Sequence, residues 1–253
     1  MTKVYITLGI FLSINLVALV WSYLVLYTDL LAKYRIQPRP YKKAIFFERL
    51  PLIAFNATMV LSLAVAGMYF NHQHFVTNDP NWIRIPIEVF VVLAADDIAF
   101  YFIHRWMHEN KWLYKKVHII HHRAYQPFPL EYIYVHPLEW MTVSMGLTLG
   151  FVGIFLVMGN IHFYSFIIFA VIRNLHEVDI HSGTRSVFAQ FIPLWGEAEH
   201  HDLHHDKPTK GNYASMFKFW DKLHAPDRPV LIRLAARRDR PAAGGRREDL
   251  RRQ

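Results

Sequence analysis

Two long apolar runs occupy the first third of the chain. Residues 5–27 and 50–70 contain no Asp, Glu, Lys, Arg or His, and each reaches the ~20 residues that a helix needs to cross a bilayer. The first run is not followed by a small-residue cleavage site and a polar mature segment, as a removable signal peptide would be. Both runs therefore predict transmembrane helices.

Three further apolar runs are less regular. Residues 85–103 include Glu88, Asp96 and Asp97, residues 140–158 carry no charge, and residues 161–172 form a short run that ends at Arg173. The length of this short run fits a re-entrant or hairpin segment as well as a full crossing. The pattern predicts an all-α fold: a polytopic membrane helical bundle of about four transmembrane helices plus a re-entrant or hairpin segment, capped by a cytoplasmic histidine-rich helical region.

The charges between the runs indicate the orientation in the membrane. Residues 28–49 carry six Lys or Arg, whereas the segment between the second and third runs carries only Arg84. Basic segments stay on the cytoplasmic side of membrane proteins. If the fourth and fifth runs form a hairpin, the histidine clusters all share the cytoplasmic side of a multi-pass protein, in a bacterial inner membrane or the ER.

The net charge of +8 comes largely from the C-terminal tail. Residues 228–253 contain nine Arg against Asp239, Glu248 and Asp249, which is typical of a disordered, solvated tail or of a segment on anionic headgroups. No basic–aromatic motif accompanies this charge, so nucleic acid is not an expected partner. We expect residues 1–227 to form a single integral membrane domain, followed by a basic, disordered tail at 228–253.

Cysteine is absent from the sequence. Disulfides and cysteine-held iron–sulfur clusters within the chain are therefore excluded. A metal bound by this chain would need nitrogen or oxygen ligands.

Eight histidines recur in three clusters at helical spacing. One HxxxH and two HxxHH patterns contain His104 and His108, then His118, His121 and His122, then His201, His204 and His205. Residues three and four apart lie on one face of a helix, so we expect each cluster to direct its imidazoles at a common point. A bound metal would take the nitrogen lone pairs and keep these crowded rings neutral. Eight ligands exceed the four of a structural zinc site, so two metal ions are the simpler interpretation.

Other polar residues near the clusters are candidates for supporting roles. Asp97 lies close to the helical face of the first cluster. We expect it either to accept a hydrogen bond from a ligand imidazole or to contact Tyr101 or another helix. His136 and His181 are candidate additional ligands, with a hydrogen-bonded structural role as the alternative. His176 is a further candidate whose spacing directs it away from the common face.

Six segments resemble the fatty acid hydroxylase and sterol desaturase superfamily of membrane di-iron enzymes, and the resemblance covers roughly residues 97–223, about half of the chain. They are DIAFYFIHRWMH, LYKKVHIIHH, PFPLEYIYVHPLEW, DIHSG, HDLHH and GNYASMFKFWDKLHAP. The resemblance implies metal ligands at the eight clustered histidines and at His181, while His136 matches the HPLE histidine of the sterol-oxidising branch. Where the fatty-acid 2-hydroxylase branch has a histidine four residues before the equivalent of His181, this chain has Glu177. The place of that ligand would be taken by Glu177, by His176 or by neither. The motifs are most similar to those of sterol 4-methyl oxidases and sterol hydroxylases.

The resemblance implies an oxidoreductase acting on lipids. Two iron ions, replaced by zinc in some preparations, would use dioxygen as co-substrate to hydroxylate or desaturate a C–H bond of a sterol-like or fatty acyl lipid taken from the bilayer. No further catalytic acid or base is required. Because the chain has no nucleotide-binding loop and no cysteine, a separate electron-transfer protein, a b-type cytochrome or a ferredoxin with its reductase, would supply electrons. A membrane metal transporter and a lipid metallohydrolase with a zinc–histidine site are the alternative functions.

Overall fold

The computed structural model describes residues 1–78, 80–186, 189–192, 194–208 and 211–224. The all-α fold class is confirmed. The α-helices are α1 (Thr2–Tyr27), α2 (Ile45–Asn71), α3 (Arg84–Glu109), α4 (Lys111–Leu113), α5 (Ile119–His122), α6 (Pro137–Val143), α7 (Met145–Met158), α8 (Phe163–Ile180), α9 (Ala198–Asp206) and α10 (Phe219–His224). A π-helical turn, Tyr114–His118, joins α4 to α5. Short 3₁₀ turns span Ala32–Tyr34, His72–His74, Pro129–Ile133 and Ala189–Phe191, and the strands β1 (Phe75–Val76) and β2 (Ile161–His162) form a parallel pair.

Three segments are long and apolar enough to cross a membrane, so the chain is a membrane protein. They are Thr2–Tyr27, Ile45–His74 and Pro137–Met158, and they correspond to the first, second and fourth predicted runs. Helix α3 has sufficient length, but its sequence includes the acidic residues Glu88, Asp96 and Asp97, all of which are buried. Length and composition therefore give three spans within the described residues, rather than the expected four.

The short fifth run is the first part of a longer helix. Helix α7 ends at Gly159, whose positive φ of 73° suits a residue without a side chain. Helix α8 then runs for 18 residues and continues past Arg173. It is not interrupted there because the guanidinium pairs with Asp96 of α3 and Glu177 of α8, which offsets the cost of burying a lone charge.

Helices α3 and α7 pack at close range through small residues. A Cβ atom on Gly146 would lie 2.6 Å from the Cβ of Ala99 and 2.8 Å from the backbone oxygen of Ala95. A Cβ on Gly150 would lie 3.1 Å from the Cα of Val92. Glycines four residues apart allow helix backbones to approach closely in a membrane, where the hydrophobic effect does not drive helix association. This contact fixes α3, which carries the first histidine cluster, against the apolar bundle.

Polar side chains of α1 and α2 hold the irregular segment before α6. Ser22 accepts a hydrogen bond of 2.9 Å from the backbone N–H of residue 130, and Asn56 donates two hydrogen bonds of 2.8 Å to the carbonyls of residues 133 and 135. Arg49 pairs with the fully buried Glu131. The segment has few helical hydrogen bonds of its own, so these side chains satisfy its buried backbone groups. They fix where α6 begins.

The histidine-bearing elements meet at one end of this bundle. They are the C-terminal part of α3, the helical segment from α4 to α5, the end of α8, and α9. The predicted tail at 228–253 lies outside the described residues. The division into a domain at 1–227 and a tail stays a prediction.

Candidate metal centre

Nine histidines lie in two neighbouring sets. The five-histidine set contains His104, His108, His118, His122 and His204, and the four-histidine set contains His121, His181, His201 and His205. The potential ligand nitrogens within each set all lie within 4.8 Å of one another. All members are buried except His108, which is half-buried. The structure thus brings together every histidine that the spacing and the resemblance identified as a metal ligand.

Each HxxHH pattern contributes rings to both sets. In the second cluster, His118 and His122 join the five-histidine set while His121 joins the other. In α9 the division is reversed: His201 and His205 join the four-histidine set, and His204 joins the five-histidine set. Positions i+3 and i+4 differ by about 100° around a helix, so adjacent histidines can face different neighbours. The expectation that each cluster directs its rings at one point holds for His104 and His108 but was wrong for the two HxxHH patterns.

A π-helical turn sets the direction of the second cluster. Asn110 begins the segment, and its side-chain oxygen accepts hydrogen bonds of 3.0 Å from the backbone N–H groups of Trp112 and Leu113, as an N-cap residue does. The following turn, Tyr114–His118, is wider than an α-helical turn. Such single π turns recur at functional sites because they change the rotation of the side chains that follow.

The spacing of the ring nitrogens fits shared metal ions. Neighbouring Nε2 atoms are 2.8–3.2 Å apart in the five-histidine set and 3.0–3.4 Å apart in the four-histidine set. Two nitrogens that each lie about 2.0–2.1 Å from one ion are about 2.8–3.0 Å apart at a right angle and about 3.3–3.4 Å apart at the tetrahedral angle. The observed distances match these values.

The protonation state of the rings also fits metal binding. Burial, with repulsion from neighbouring imidazoles, lowers the pKa of His121 to about 3. The same causes hold the pKa well below its usual range for His118, His122, His201, His204 and His205. Neutral rings whose Nε2 lone pairs face one another repel, and a cation between them relieves that repulsion. A set of donors made of imidazoles suits iron, zinc or copper.

Residues 211–217 orient two rings of the five-histidine set. Nδ1 of His104 donates to the carbonyl oxygen of Tyr213 at 2.7 Å, and Nδ1 of His204 donates to that of Gly211 at 2.9 Å. Asp97 holds this segment, because its carboxylate accepts hydrogen bonds from the backbone N–H groups of residues 216 and 217 and, at 2.7 Å, from the indole of Trp220. Of the two alternatives predicted for Asp97, the contact with another helix is the one observed, through Trp220 of α10, and the direct bond to an imidazole is not formed. Asp97 acts on the rings through the chain that orients them.

Glu139 is a candidate residue that the sequence analysis missed. Its carboxylate oxygen lies 2.8 Å from Nδ1 of His118, and the side chain is buried. A carboxylate in this position fixes the ring's tautomer and strengthens the opposite nitrogen as a metal ligand. A signal was present in the sequence, since an acid directly before the uncharged run 140–158 needs a partner at the membrane.

Two further candidates lie outside the sets. Nδ1 of His136 accepts a hydrogen bond of 3.1 Å from the backbone N–H of Leu138 and caps α6. His176 packs edge-on against Trp195 with ring centroids 4.8 Å apart, and its Nε2 lies 3.3 Å from Oγ of Ser215. Neither ring joins a set.

Glu177 supports His181 from outside the four-histidine set. The backbone oxygen of Glu177 accepts a hydrogen bond of 2.8 Å from Nδ1 of His181. Its carboxylate pairs with Arg173 and accepts a hydrogen bond of 2.8 Å from Ser215. The side chain therefore has partners other than a metal.

An apolar cavity of about 620 Å³ reaches both sets. Its wall includes His104 of the five-histidine set and His121, His181 and His201 of the four-histidine set. Most of the remaining wall consists of apolar side chains from α1, α2, α3, α7 and α8. The volume is in the usual range for small-molecule sites. An apolar ligand in this cavity would contact rings of both sets.

Residues 89–225, more than half of the chain, match the family model for fatty acid hydroxylase. Methylsterol monooxygenase erg25B of Aspergillus fumigatus is 38% identical over 54% of this chain and 46% of its own length. Methylsterol monooxygenase 1 of Rattus norvegicus is 33% identical over 69% of this chain and 60% of its own. Very-long-chain aldehyde decarbonylase GL1-11 of Oryza sativa subsp. indica is 34% identical over 59% of this chain and 55% of its own length.

The chain thus spans about half the length of these curated relatives. No solved structure matches it. The chain belongs to the fatty acid hydroxylase family.

Proposed function

We propose that this chain is a membrane-bound di-iron oxygenase that hydroxylates or desaturates a C–H bond of a sterol-like or fatty acyl lipid. The observation that carries the proposal is the wall shared by the apolar cavity and both histidine sets. A lipid in the cavity would bring a carbon next to the ring nitrogens. The methylsterol monooxygenases among the relatives act, as their name states, on methylsterols.

In this proposal, all nine clustered histidines hold two iron ions. Five ligands belong to one set and four to the other. Zinc is expected to occupy the same nitrogens in some preparations. The chemistry that two iron ions supply between such donors is the reductive activation of dioxygen for attack on an unactivated C–H bond.

The chain's own residues orient, hold protons and exclude water. Glu139 and three backbone carbonyls keep a proton on Nδ1 of four rings, so that Nε2 of each ring faces the centre of its set. The apolar wall removes water from the site and positions one carbon of the lipid near the rings. No protein acid or base is assigned to the reaction.

Electrons would come from a separate protein, either a b-type cytochrome or a ferredoxin with its reductase. Exposed Lys111, Lys115 and Lys116 flank the half-buried His108 region, and an acidic redox protein would be attracted to this face. The charge pattern of the loops supports a cytoplasmic location for this face, with α3 as a fourth crossing of the membrane. The membrane would be a bacterial inner membrane or the ER.

Oxygen-isotope labelling tests the proposed reaction. Purified full-length protein loaded with iron is given reductant, a membrane lipid extract and ¹⁸O₂ in unlabelled water. We expect a lipid that carries ¹⁸O, or a lipid that has lost two hydrogens as dioxygen is consumed. The same protein loaded with zinc is the control and should give neither product. Lipid oxygen that derives from water would instead indicate a metallohydrolase, and metal flux across vesicles without product would indicate a transporter.

A further inference from the structure

A charged cluster lies in the wall of the apolar cavity, apart from the histidine sets. Arg173 of α8 pairs with Asp96 of α3 and with Glu177 of α8, and all three residues line the cavity. The side chains of Arg173 and Glu177 retain 16% and 14% exposure. Both residues belong to the cavity wall, so neither is sealed off from a ligand there.

The cluster lies at a defined height relative to the metal centre. Asp96 precedes His104 on α3 by the same number of residues as Arg173 precedes His181 at the end of α8. This separation corresponds to about 12 Å along each helix axis. Glu177 lies one turn closer to His181. A ligand that fills the cavity from the rings to this height therefore contacts the charged groups.

The hydrogen bonds of Arg173 leave part of its donor capacity for a ligand. Its Nε contacts Asp96 and its Nη1 contacts Glu177. Nη2 has no hydrogen-bond partner among the residues that the structure describes. Buried ion pairs are often replaceable by apolar side chains without loss of stability, so packing of α3 against α8 does not by itself require this cluster. A mostly apolar wall that carries this charged cluster fits a ligand with a polar group at the height of the cluster.

The charges of the cluster limit the chemistry of that polar group. One guanidinium faces two carboxylates, so the cluster has a surplus of negative charge. A carboxylate or phosphate headgroup would add a further anion at this place. An ammonium group would be attracted by the surplus charge, but it only donates, so it would leave Nη2 without an acceptor and would repel the guanidinium. A hydroxyl group is uncharged, accepts from Nη2 and donates to a carboxylate oxygen of Asp96.

We propose that Asp96 and Arg173 bind an uncharged hydroxyl group of the lipid substrate. The two residues thereby select lipid alcohols over plain hydrocarbons, fatty acids and lipid amines. This inference rests on the proposed function, because it assigns a substrate class to the same cavity. Its test measures binding rather than turnover.

Four sixteen-carbon probes test the selection: 1-hexadecanol, hexadecane, hexadecanoate and hexadecylamine. Binding to the full-length, metal-loaded protein in lipid nanodiscs is measured with radiolabelled probes. We expect 1-hexadecanol to bind about tenfold more tightly than each of the other three, as expected for a hydrogen bond to a charged group. Equal affinity for the alcohol and the alkane, or preference for the acid or the amine, would overturn the inference.

Asp96→Asn identifies the residues responsible. We expect this variant to lose about tenfold in affinity for 1-hexadecanol, with unchanged affinity for hexadecane and unchanged metal content. Glu88→Gln is the matched control, because Glu88 is a buried carboxylate on the same helix that pairs with Arg84 and is not part of the cavity wall. It should keep the preference for the alcohol. An Asp96→Asn protein with the full preference would contradict the assignment, and if this variant fails to accumulate, the ranking of the four probes decides.

The two levels of the proposal fail in different ways. A protein that binds two irons and oxidises lipid, yet binds alkane and alcohol equally, disproves only the hydroxyl contact. A protein that prefers the alcohol but incorporates no oxygen from dioxygen disproves the oxygenase and leaves the contact in place.

Discussion

Glu139 accepts a hydrogen bond of 2.8 Å from Nδ1 of His118, and this contact joins a helix that leads into the membrane to the five-histidine set. Glu139 lies in the first turn of α6, directly before the uncharged run that continues through α7. Its position depends on the polar contacts of Ser22, Asn56 and Arg49 with the preceding segment. The geometry of the candidate metal centre is therefore built partly by residues of the membrane bundle.

Replacing Glu139 by Gln should weaken metal binding in the five-histidine set. The amide keeps the shape but removes the negative charge that strengthens His118 as a ligand, and such changes cost about 10–100-fold in metal affinity. Titration of the metal-free protein with iron or cobalt measures this loss, and the four-histidine set should keep its affinity. The control is Glu109→Gln, which alters a half-exposed carboxylate on α3 paired with Arg105. Equal affinity in the Glu139 variant and the control would remove Glu139 from the site.

Replacing Asp97 by Asn should loosen residues 211–217. The carboxylate accepts two backbone N–H groups and the indole of Trp220, and hydrogen bonds to a charged group contribute about 1.5–3 kcal/mol each. We expect a lower thermal unfolding temperature in detergent and faster proteolysis at residues 211–217. Metal should be lost from the five-histidine set first, since this segment orients His104 and His204. Loss from both sets at the same rate would contradict the role described for Asp97.

Gly146→Ala should separate α3 from α7. The new Cβ would lie 2.6 Å from the Cβ of Ala99 and 2.8 Å from a backbone oxygen, so the helices must move apart. Overpacking of this kind costs about 1–3 kcal/mol. Gly153→Ala on the same helix is the matched control, because nothing lies within 4 Å of the added atom, and it should be neutral or slightly stabilising. Thermal unfolding of both variants in detergent compares them, and equal stability would show that the close contact is unimportant.

Reversing the charge of Lys115 and Lys116 should impair electron delivery but not oxidation itself. Both side chains are exposed near the histidine clusters. With a negatively charged cytochrome or ferredoxin, we expect the KM for the donor to rise about tenfold and its dependence on salt to weaken. With a small chemical reductant, the rate should stay unchanged. Lys42→Glu with Lys43→Glu is the control at two other exposed lysines, and an equal effect of both pairs would argue for general attraction instead of a docking site.

The sequence predicts much of the candidate metal centre because histidine spacing is a local property. The three clusters identify eight of the nine gathered rings, and His181 follows from the resemblance of its DIHSG segment. The division of each HxxHH pattern between two sets is not local. It depends on the π turn at Tyr114–His118 and on which neighbour each helix face meets.

The apolar runs predict α1, α2 and α7 but underestimate α8. Arg173 marks the end of an apolar run in the sequence, whereas in the fold it continues a helix because Asp96 of α3 pairs with it. Asp97 is a second example. Its spacing from His104 favours a direct contact between the two side chains, but in the fold Asp97 binds residues 216 and 217, and the same segment binds His104. In both cases the deciding partner is distant in sequence and hydropathy carries no information about it.

Metal analysis of the purified full-length protein tests the central claim most directly. After reconstitution with iron, the unaltered chain should contain two irons per molecule, and X-ray absorption should show nitrogen-rich coordination. His122→Ala and His201→Ala should each lower the content toward one iron, because each removes a ligand from a different set. A single iron in the unaltered protein, or no iron at all, would contradict the account. So would two irons retained in both variants, because the metal would then be bound at other residues.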